Sequence, residues 1–264
     1  MFDSGVGGLT VARSVIDLLP HESLVYFGDT DRAPYGPRPL TEIREFAREV
    51  ASFLLARDVK MLVVACNSVE VAAIEDLTAR AGVPVVGVID PGVRAAVRAT
   101  RGGRVGVIGT EATIVSGAYP RAARRAGLAS ALVEQACPAF VPFVERGETT
   151  GDDLLEVAGT YLAPVREAGV DTLILGCTHY PLLSGPISLV MGERVVLISS
   201  ADETARDVYA RLVQDDLLAH QEVEPRHEFL CSGDPDQFRS LGRRFLGPEV
   251  AEVRLTSAQR EVLG

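Results

Sequence analysis

Two cysteines, Cys66 and Cys177, occupy matching places in two copies of one local pattern. Val59-Lys60-Met61-Leu62-Val63-Val64-Ala65-Cys66-Asn67-Ser68 aligns without a gap on Val170-Asp171-Thr172-Leu173-Ile174-Leu175-Gly176-Cys177-Thr178-His179. Each copy is an apolar run, one small residue, the thiol, and two polar residues able to open a helix. Such a run reads as a buried parallel strand and the polar pair as a helix start. Each thiol is therefore expected at the carboxyl end of a strand and the amino end of a helix. Helix N-termini carry partial positive charge and draw a thiol pKa down from about 8.5 toward neutrality. A buried structural role is the ordinary fate of an intracellular cysteine. Two at equivalent strand ends favour function, and symmetry suggests an enzyme that works on both faces of one small molecule.

Other residues could support that chemistry. His179, two positions after Cys177, could hold or move the thiol's proton, or simply be a satisfied histidine at a helix start. Ser4-Gly5-Val6-Gly7-Gly8 is a glycine-rich turn before a helical stretch from Leu9 to Leu18. It could cradle an anion on bare backbone N–H groups, or be a tight turn without a ligand. Asp3 before it reads as a helix cap or a catalytic carboxylate. Tyr35, between Pro34 and Pro37, lies in a long loop of the kind that carries binding residues. Zinc binding is disfavoured, because only His179 lies near a cysteine and no second chelating pair follows. Cys137 and Cys231 lack such context and read as structural. His21, His220 and His227 read as surface residues in polar loops.

Composition narrows the classes. The 264 residues are 47% hydrophobic, with a formal net charge of −10. An acidic chain gains nothing from phosphate electrostatics, which disfavours a nucleic-acid role. Any anion site must be built locally, from N–H groups and helix ends. Four cysteines without a CxxC do not make a disulfide framework. No leader or membrane-length apolar run is evident, so the expected location is the cytoplasm. Lys60 is the single lysine and lies at the far end of its strand from Cys66, which argues against a pyridoxal phosphate Schiff base.

Positioning these residues requires strands that alternate with helices. Leu24–Phe27, Met61–Ala65, Val83–Ile89, Arg104–Ile108, Thr172–Leu175 and Val195–Ile198 read as strands. Leu40–Ala56 is helical, with Ile43, Phe46, Ala47, Val50, Phe53 and Leu54 on one face. Leu154–Ala168 is helical with Leu155, Ala158, Tyr161, Leu162 and Val165, and Thr204–Leu218 is a third long helix. The repeat continues beyond the cysteines. Pro84–Ile89 matches Arg194–Ile198, and Met1-Phe2-Asp3-Ser4-Gly5 resembles Val107-Ile108-Gly109-Thr110-Glu111. The expected fold is α/β: two pseudo-symmetric domains with parallel sheets and the active site in the cleft between them. Residues 1–90 plus 201–264 are assigned to the first and 91–200 to the second, with the boundary near Asp90 to Arg101. Only Ala219 to Arg226 reads as a candidate for disorder.

Cys66-Asn67-Ser68 and Gly176-Cys177-Thr178-His179-Tyr180-Pro181, with Phe2-Asp3-Ser4-Gly5-Val6-Gly7-Gly8, Gly28-Asp29-Thr30 and Pro34-Tyr35-Gly36, resemble the cofactor-independent glutamate racemases nearly end to end. The resemblance implies that Cys66 deprotonates D-glutamate and Cys177 L-glutamate, each thiol serving as acid for the other direction. It implies that Asp3 assists Cys66, that His179 and Glu145 assist Cys177, and that Ser4, Tyr35, Gly36, Asn67, Ser68 and Thr178 hold the substrate. No cofactor or metal is implied. A homodimer, a contact with DNA gyrase and a supply of D-glutamate for peptidoglycan follow by the same analogy. Aspartate racemases and other two-thiol isomerases share this design; a catalytically impaired regulatory homologue and a thiol redox protein are the readings from other classes.

The chain departs from the resemblance in three places. Met1 directly precedes Phe2, so the first strand is expected to be nearly missing, which implies either a misassigned start or a weakened first domain. Glu70 is expected to add negative charge beside Cys66, suiting the helix dipole but opposing the thiolate. Ser199 stands where an acidic residue is common.

Overall fold

The computed structural model describes residues 1–128, 132–220, 224–256 and 258. It is an α/β structure in which every strand pair is parallel. The amino-terminal part contains β1 (Phe2–Asp3), α1 (Leu9–Leu18), β2 (Leu24–Gly28), α2 (Leu40–Leu55), β3 (Leu62–Val63), α3 (Asn67–Arg80) and β4 (Val85–Val86). Then follow α4 (Ile89–Ala99), β5 (Arg104–Gly109), α5 (Glu111–Val115), α6 (Ala118–Arg125), β6 (Val133–Ala136), α7 (Phe140–Arg146), α8 (Asp152–Glu167) and β7 (Val170–Gly176). After a 3₁₀ turn (Tyr180–Leu183) come α9 (Ser184–Met191), β8 (Val196–Ile198), α10 (Ala201–Gln214), β9 (His227–Cys231), α11 (Pro235–Phe245) and β10 (Val253–Leu255).

One four-stranded sheet runs β1-β2-β9-β10 and another runs β6-β5-β7-β8. The β3-β4 pair joins the first sheet through a parallel bridge from Phe2 to Val64, reinforced where the Ala65 N–H donates to the Phe2 carbonyl. β5 and β7 are buried along nearly their whole length, as central strands covered on both faces must be, and they carry uninterrupted apolar runs. β1 pairs over only two residues, yet it lies between β2 and β3, and the Met1 ammonium donates to the Val25 carbonyl at 2.8 Å.

The helices bury the stripes their periodicity dictates. α2 hides Ile43, Ala47, Val50, Ala51, Phe53 and Leu54 against β-strand side chains. Phe46 is only half-buried and instead lies under the Arg32 guanidinium, 4.1 Å from the ring centre. In α8 the buried residue of the first turn is Leu154 rather than Leu155. α10 returns to pack along α1, and β9 pairs with β2, so the end of the chain completes the first sheet.

Several elements differ from the sequence reading. The stretch Asp90 to Arg101, rich in Pro, Gly and Arg, is mostly helix α4; Pro91 falls in its first turn, where a missing N–H costs nothing. The expected strand Val83–Ile89 is confined to Val85–Val86, because Val88 and Ile89 turn into that helix. His227 lies in β9 rather than in a loop. Of the stretch read as candidate disorder, residues 221–223 lie outside the described residues. At its flanks the Ala219 N–H donates to Glu22 at 2.7 Å and the Arg226 N–H to Ser23 at 3.1 Å. No helix among the described residues is long and apolar enough to cross a membrane.

Candidate active site

Strand ends deliver both thiols. Cys66 follows β3 in extended conformation and is the N-cap residue of α3, so its sulfur sits at the positive end of a helix. Cys177 follows β7 directly, but the next turn is the 3₁₀ segment, and the α-helix begins only at Ser184. The symmetry of the sequence copies thus stops one residue past the thiol. Pro181, at the start of that segment, lacks the N–H a regular helix would use.

One cavity of about 160 Å³ takes both cysteines into its wall. Its lining includes every site residue expected from the sequence: Asp3, Ser4, Tyr35, Gly36, Cys66, Asn67, Ser68, Glu145, Cys177, Thr178 and His179. The volume suits a small solute rather than a nucleotide or a peptide. Cys66 is 6% exposed and Cys177 7%, so both sulfurs are screened from bulk water.

The surroundings of the two thiols differ. Burial, and then the charge of Asp3, push the Cys66 thiol well above its ordinary value. The N–H groups of Val69 and Ser4 and the Ser4 hydroxyl, 3.6 Å from the sulfur, act in the opposite sense as donors to a thiolate. Glu70, expected to supply the opposing charge, has turned away: its carboxylate accepts from the backbone N–H groups of Val88 and Ile89. On the other wall, His179 Nδ1 is 3.9 Å from the Cys177 sulfur and Nε2 is 3.4 Å from a Glu145 oxygen. Burial opposes an imidazolium there, but the Cys177 and Glu145 contacts outweigh it and raise His179 to about 10.

Asp3 lines the cavity and braces the turn before α1, whose N-cap position is Gly8 rather than Asp3. One carboxylate oxygen accepts from the Gly8 N–H at 2.8 Å, fixing the glycine-rich turn at the head of α1. The other is buried without a partner, as is the side-chain oxygen of Asn67. Buried acceptors left open are costly, and a ligand carrying N–H donors relieves them. Tyr35 contributes its ring to the wall, while its hydroxyl donates to Asp29, which also accepts from Arg32 at 2.7 Å.

The two walls interlock. Asn67 donates to the Tyr119 hydroxyl at 2.9 Å, and the Ser68 and Thr110 hydroxyls are 3.0 Å apart. Thr110 and Tyr119 were not singled out from sequence as site residues. Thr110 was legible in principle, because the internal repeat aligns it with Ser4; Tyr119 carried no such signal. A Cβ at Gly7 would run into the His179 ring and the Thr178 hydroxyl, so the glycine lets the turn lie against the Cys177 segment. Gly7→Ala should destabilise the fold by about 1–3 kcal/mol through overpacking, read as a lowered midpoint in urea unfolding. An unchanged midpoint would contradict the contact. Among the described residues no group of three or more His, Cys, Asp or Glu is placed to hold a metal ion.

Residues 9–208 match the family model for Asp/Glu/Hydantoin racemases. Over 260 residues the chain is 57% identical to a glutamate racemase of a Parafrankia species, covering 98% of this chain and 94% of that protein. Among solved structures, the RacE1 glutamate racemase of Bacillus anthracis superposes with a TM-score of 0.93 at 40% identity, covering 97% of this chain and 96% of that one. The glutamate racemase of Francisella tularensis, solved with D-glutamate, superposes with a TM-score of 0.91 at 34% identity, covering 98% and 97%.

Proposed function

On the premise that the chain belongs to the Asp/Glu/Hydantoin racemase family, we propose that Cys66 and Cys177 interconvert L- and D-glutamate across the cavity they share. The enzyme is an amino-acid racemase, and the chemistry draws on no cofactor. The observation that carries the assignment is that both thiols line one cavity, Asp3 near Cys66 and His179 between Cys177 and Glu145; we assign Asp3 as the acid–base partner of Cys66 and His179 with Glu145 as that of Cys177.

The step balances without an external reactant. From L-glutamate, the Cys177 thiolate takes the α-proton, and the C–H electron pair is left on the α-carbon and its carboxylate. The Cys66 thiol then gives its proton to the opposite face, yielding D-glutamate, a neutral Cys177 and a Cys66 thiolate. The reverse direction exchanges the roles. An α-proton is very weakly acidic, so the carbanion must be held by preorganised donors in a water-poor site. Ser4 and Thr178 serve the carboxylates, and the open Asn67 oxygen faces the ammonium. Tyr35, Gly36 and Ser68 shape the pocket.

In this reading residues 1–90 with 201–264 form one wall and 91–200 the other. The protein works as a homodimer in the cytoplasm and supplies D-glutamate for peptidoglycan; light scattering at micromolar concentration tests the dimer. Incubation with L-glutamate in deuterium oxide tests the reaction. The α-proton signal should vanish and the optical rotation fall to zero, with L-aspartate unchanged alongside. Exchange of aspartate in preference to glutamate would transfer the assignment to the aspartate-specific branch, and exchange of neither would overturn it.

A further inference from the structure

The helix that presents Cys66 is tied across the molecule by its first two turns. Asn67 and Ser68 reach Tyr119 and Thr110, as described above, and Glu70 reaches the start of α4. Glu70 is buried, and one of its oxygens accepts from the N–H of Val88 at 2.5 Å and of Ile89 at 3.0 Å. These are orphan donors of the α4 N-terminus, where Val88 offers no side-chain cap. The space is reserved for this carboxylate: a Cβ on Gly87 would collide with it.

α4 is the connection between the β3-β4 pair and the second sheet, and it packs on β7, the strand that ends beside Cys177. A continuous mechanical path therefore runs from Cys66 through α3, Glu70, α4 and β7 to Cys177. We propose that Glu70 is a positioning residue for the racemisation, its carboxylate locking the helix of Cys66 to α4 and so setting the spacing of the two thiols. The proposal rests on the racemase reading above and adds to it a residue that touches neither substrate nor thiol.

The lock is sensitive to protonation. Burial raises Glu70 to about 7, against the opposing pull of the Val88 and Ile89 N–H groups; Asp90 raises it further and Arg125 lowers it. Glu75 borders the same surface, and most of the other charged groups around Glu70 are engaged with one another or with backbone carbonyls. Arg125 binds Asp90, Arg94 binds Asp207, and Arg48 binds Asp76 and Glu45. Arg44 donates to the Ala72 carbonyl, Arg121 to that of Ser116, and Arg211 pairs with Asp215. The Tyr119 phenol, shifted far upward by burial, stays neutral throughout. Protonation removes the charge that holds the α4 N-terminus but leaves a carbonyl oxygen that still accepts from both N–H groups, so turnover should fall by at most about twofold as pH drops through 7. Stability should move the other way. The folded-state pKa is raised, so the folded form holds more protons than the unfolded one between the ordinary carboxyl range and 7. Stability therefore declines as pH rises across that window.

The test compares wild type, Glu70→Ala and Glu70→Gln by kcat and KM in both directions from pH 5.5 to 9, with thermal unfolding at each pH. Glu70→Ala should lower kcat about tenfold with KM within a factor of about two, the signature of misplaced reacting groups. Glu70→Gln, which still accepts from the two N–H groups, should recover kcat to within about twofold and lose the break near 7 in both rate and stability. Wild-type kcat in Glu70→Ala, or a Glu70→Gln profile that keeps the break, would overturn the proposal. If the alanine variant does not fold, the glutamine profile decides alone. A wild-type enzyme that fails to exchange the α-proton of glutamate would instead sink the racemase reading, so the two failures are told apart.

Discussion

Replacing either thiol should stop racemisation while leaving half of the chemistry running. In Cys66→Ala, Cys177 keeps His179 beside it and Glu145 beyond, and on the proposed mechanism it would still face the α-proton of L-glutamate. The acid on the opposite face is gone. Cys177 can remove the proton, exchange it with solvent and return a deuteron to the same face. L-glutamate should therefore become α-deuterated without turning into D-glutamate. Cys177→Ala should mirror this with D-glutamate. General acid–base groups contribute about 10²–10⁴-fold, and each direction uses one thiol as base and the other as acid. Racemisation should thus fall by about 10³-fold or more in both directions for either variant. Proton NMR resolves exchange at the α-carbon, and circular dichroism follows inversion. A variant that still inverts at a tenth of the wild-type rate would mean the missing thiol is not one of the two bases.

That expectation was largely legible from the chain, since strand–small residue–Cys reads as a thiol at a strand end wherever it occurs. β5, β7, α1, α2, α8 and α10 were legible for a related reason: long periodic segments specify their own burial. The parts that escaped are those decided by tertiary contacts. β9 starts with His227 and Glu228 and looks like a polar loop, yet it pairs with β2 because the sheet has an edge there to fill. α4 was hidden by Pro91 and Gly92, both acceptable in the opening turns of a helix. Glu70 is the clearest case. On sequence it sits four residues from Cys66 at a helix start, and a helix-dipole argument assigns its charge to that thiol. Its partners, Val88 and Ile89, become neighbours only once β4 lies beside β3. The charge that acts on Cys66 comes instead from Asp3, brought in from β1.

His179→Asn should lower kcat for L-glutamate about 10²-fold, within the range of acid–base assistance. The imidazole stands between Cys177 and Glu145, close enough to the sulfur to take and return its proton. Its pKa is raised from the ordinary histidine value to about 10, with burial opposing the charge and the Cys177 and Glu145 contacts overcoming it. Two consequences follow for pH, and both carry the same sign. A histidine whose folded-state pKa is raised stabilises the fold fully below its unfolded value near 6.5, and that contribution is lost as pH climbs through 10. Over the same window the imidazolium beside Cys177 disappears, so turnover should decline on the alkaline side. His179→Asn removes the titrating group, and the difference in stability between wild type and variant should shrink steadily between pH 6.5 and 10. Urea unfolding at several pH values measures that difference, and kcat profiles in the two directions measure the chemistry. An alkaline limb that survives in the variant would assign the titration to another group, and a full-rate variant would reduce His179 to packing against Phe245, whose ring it meets edge-on at 5.7 Å.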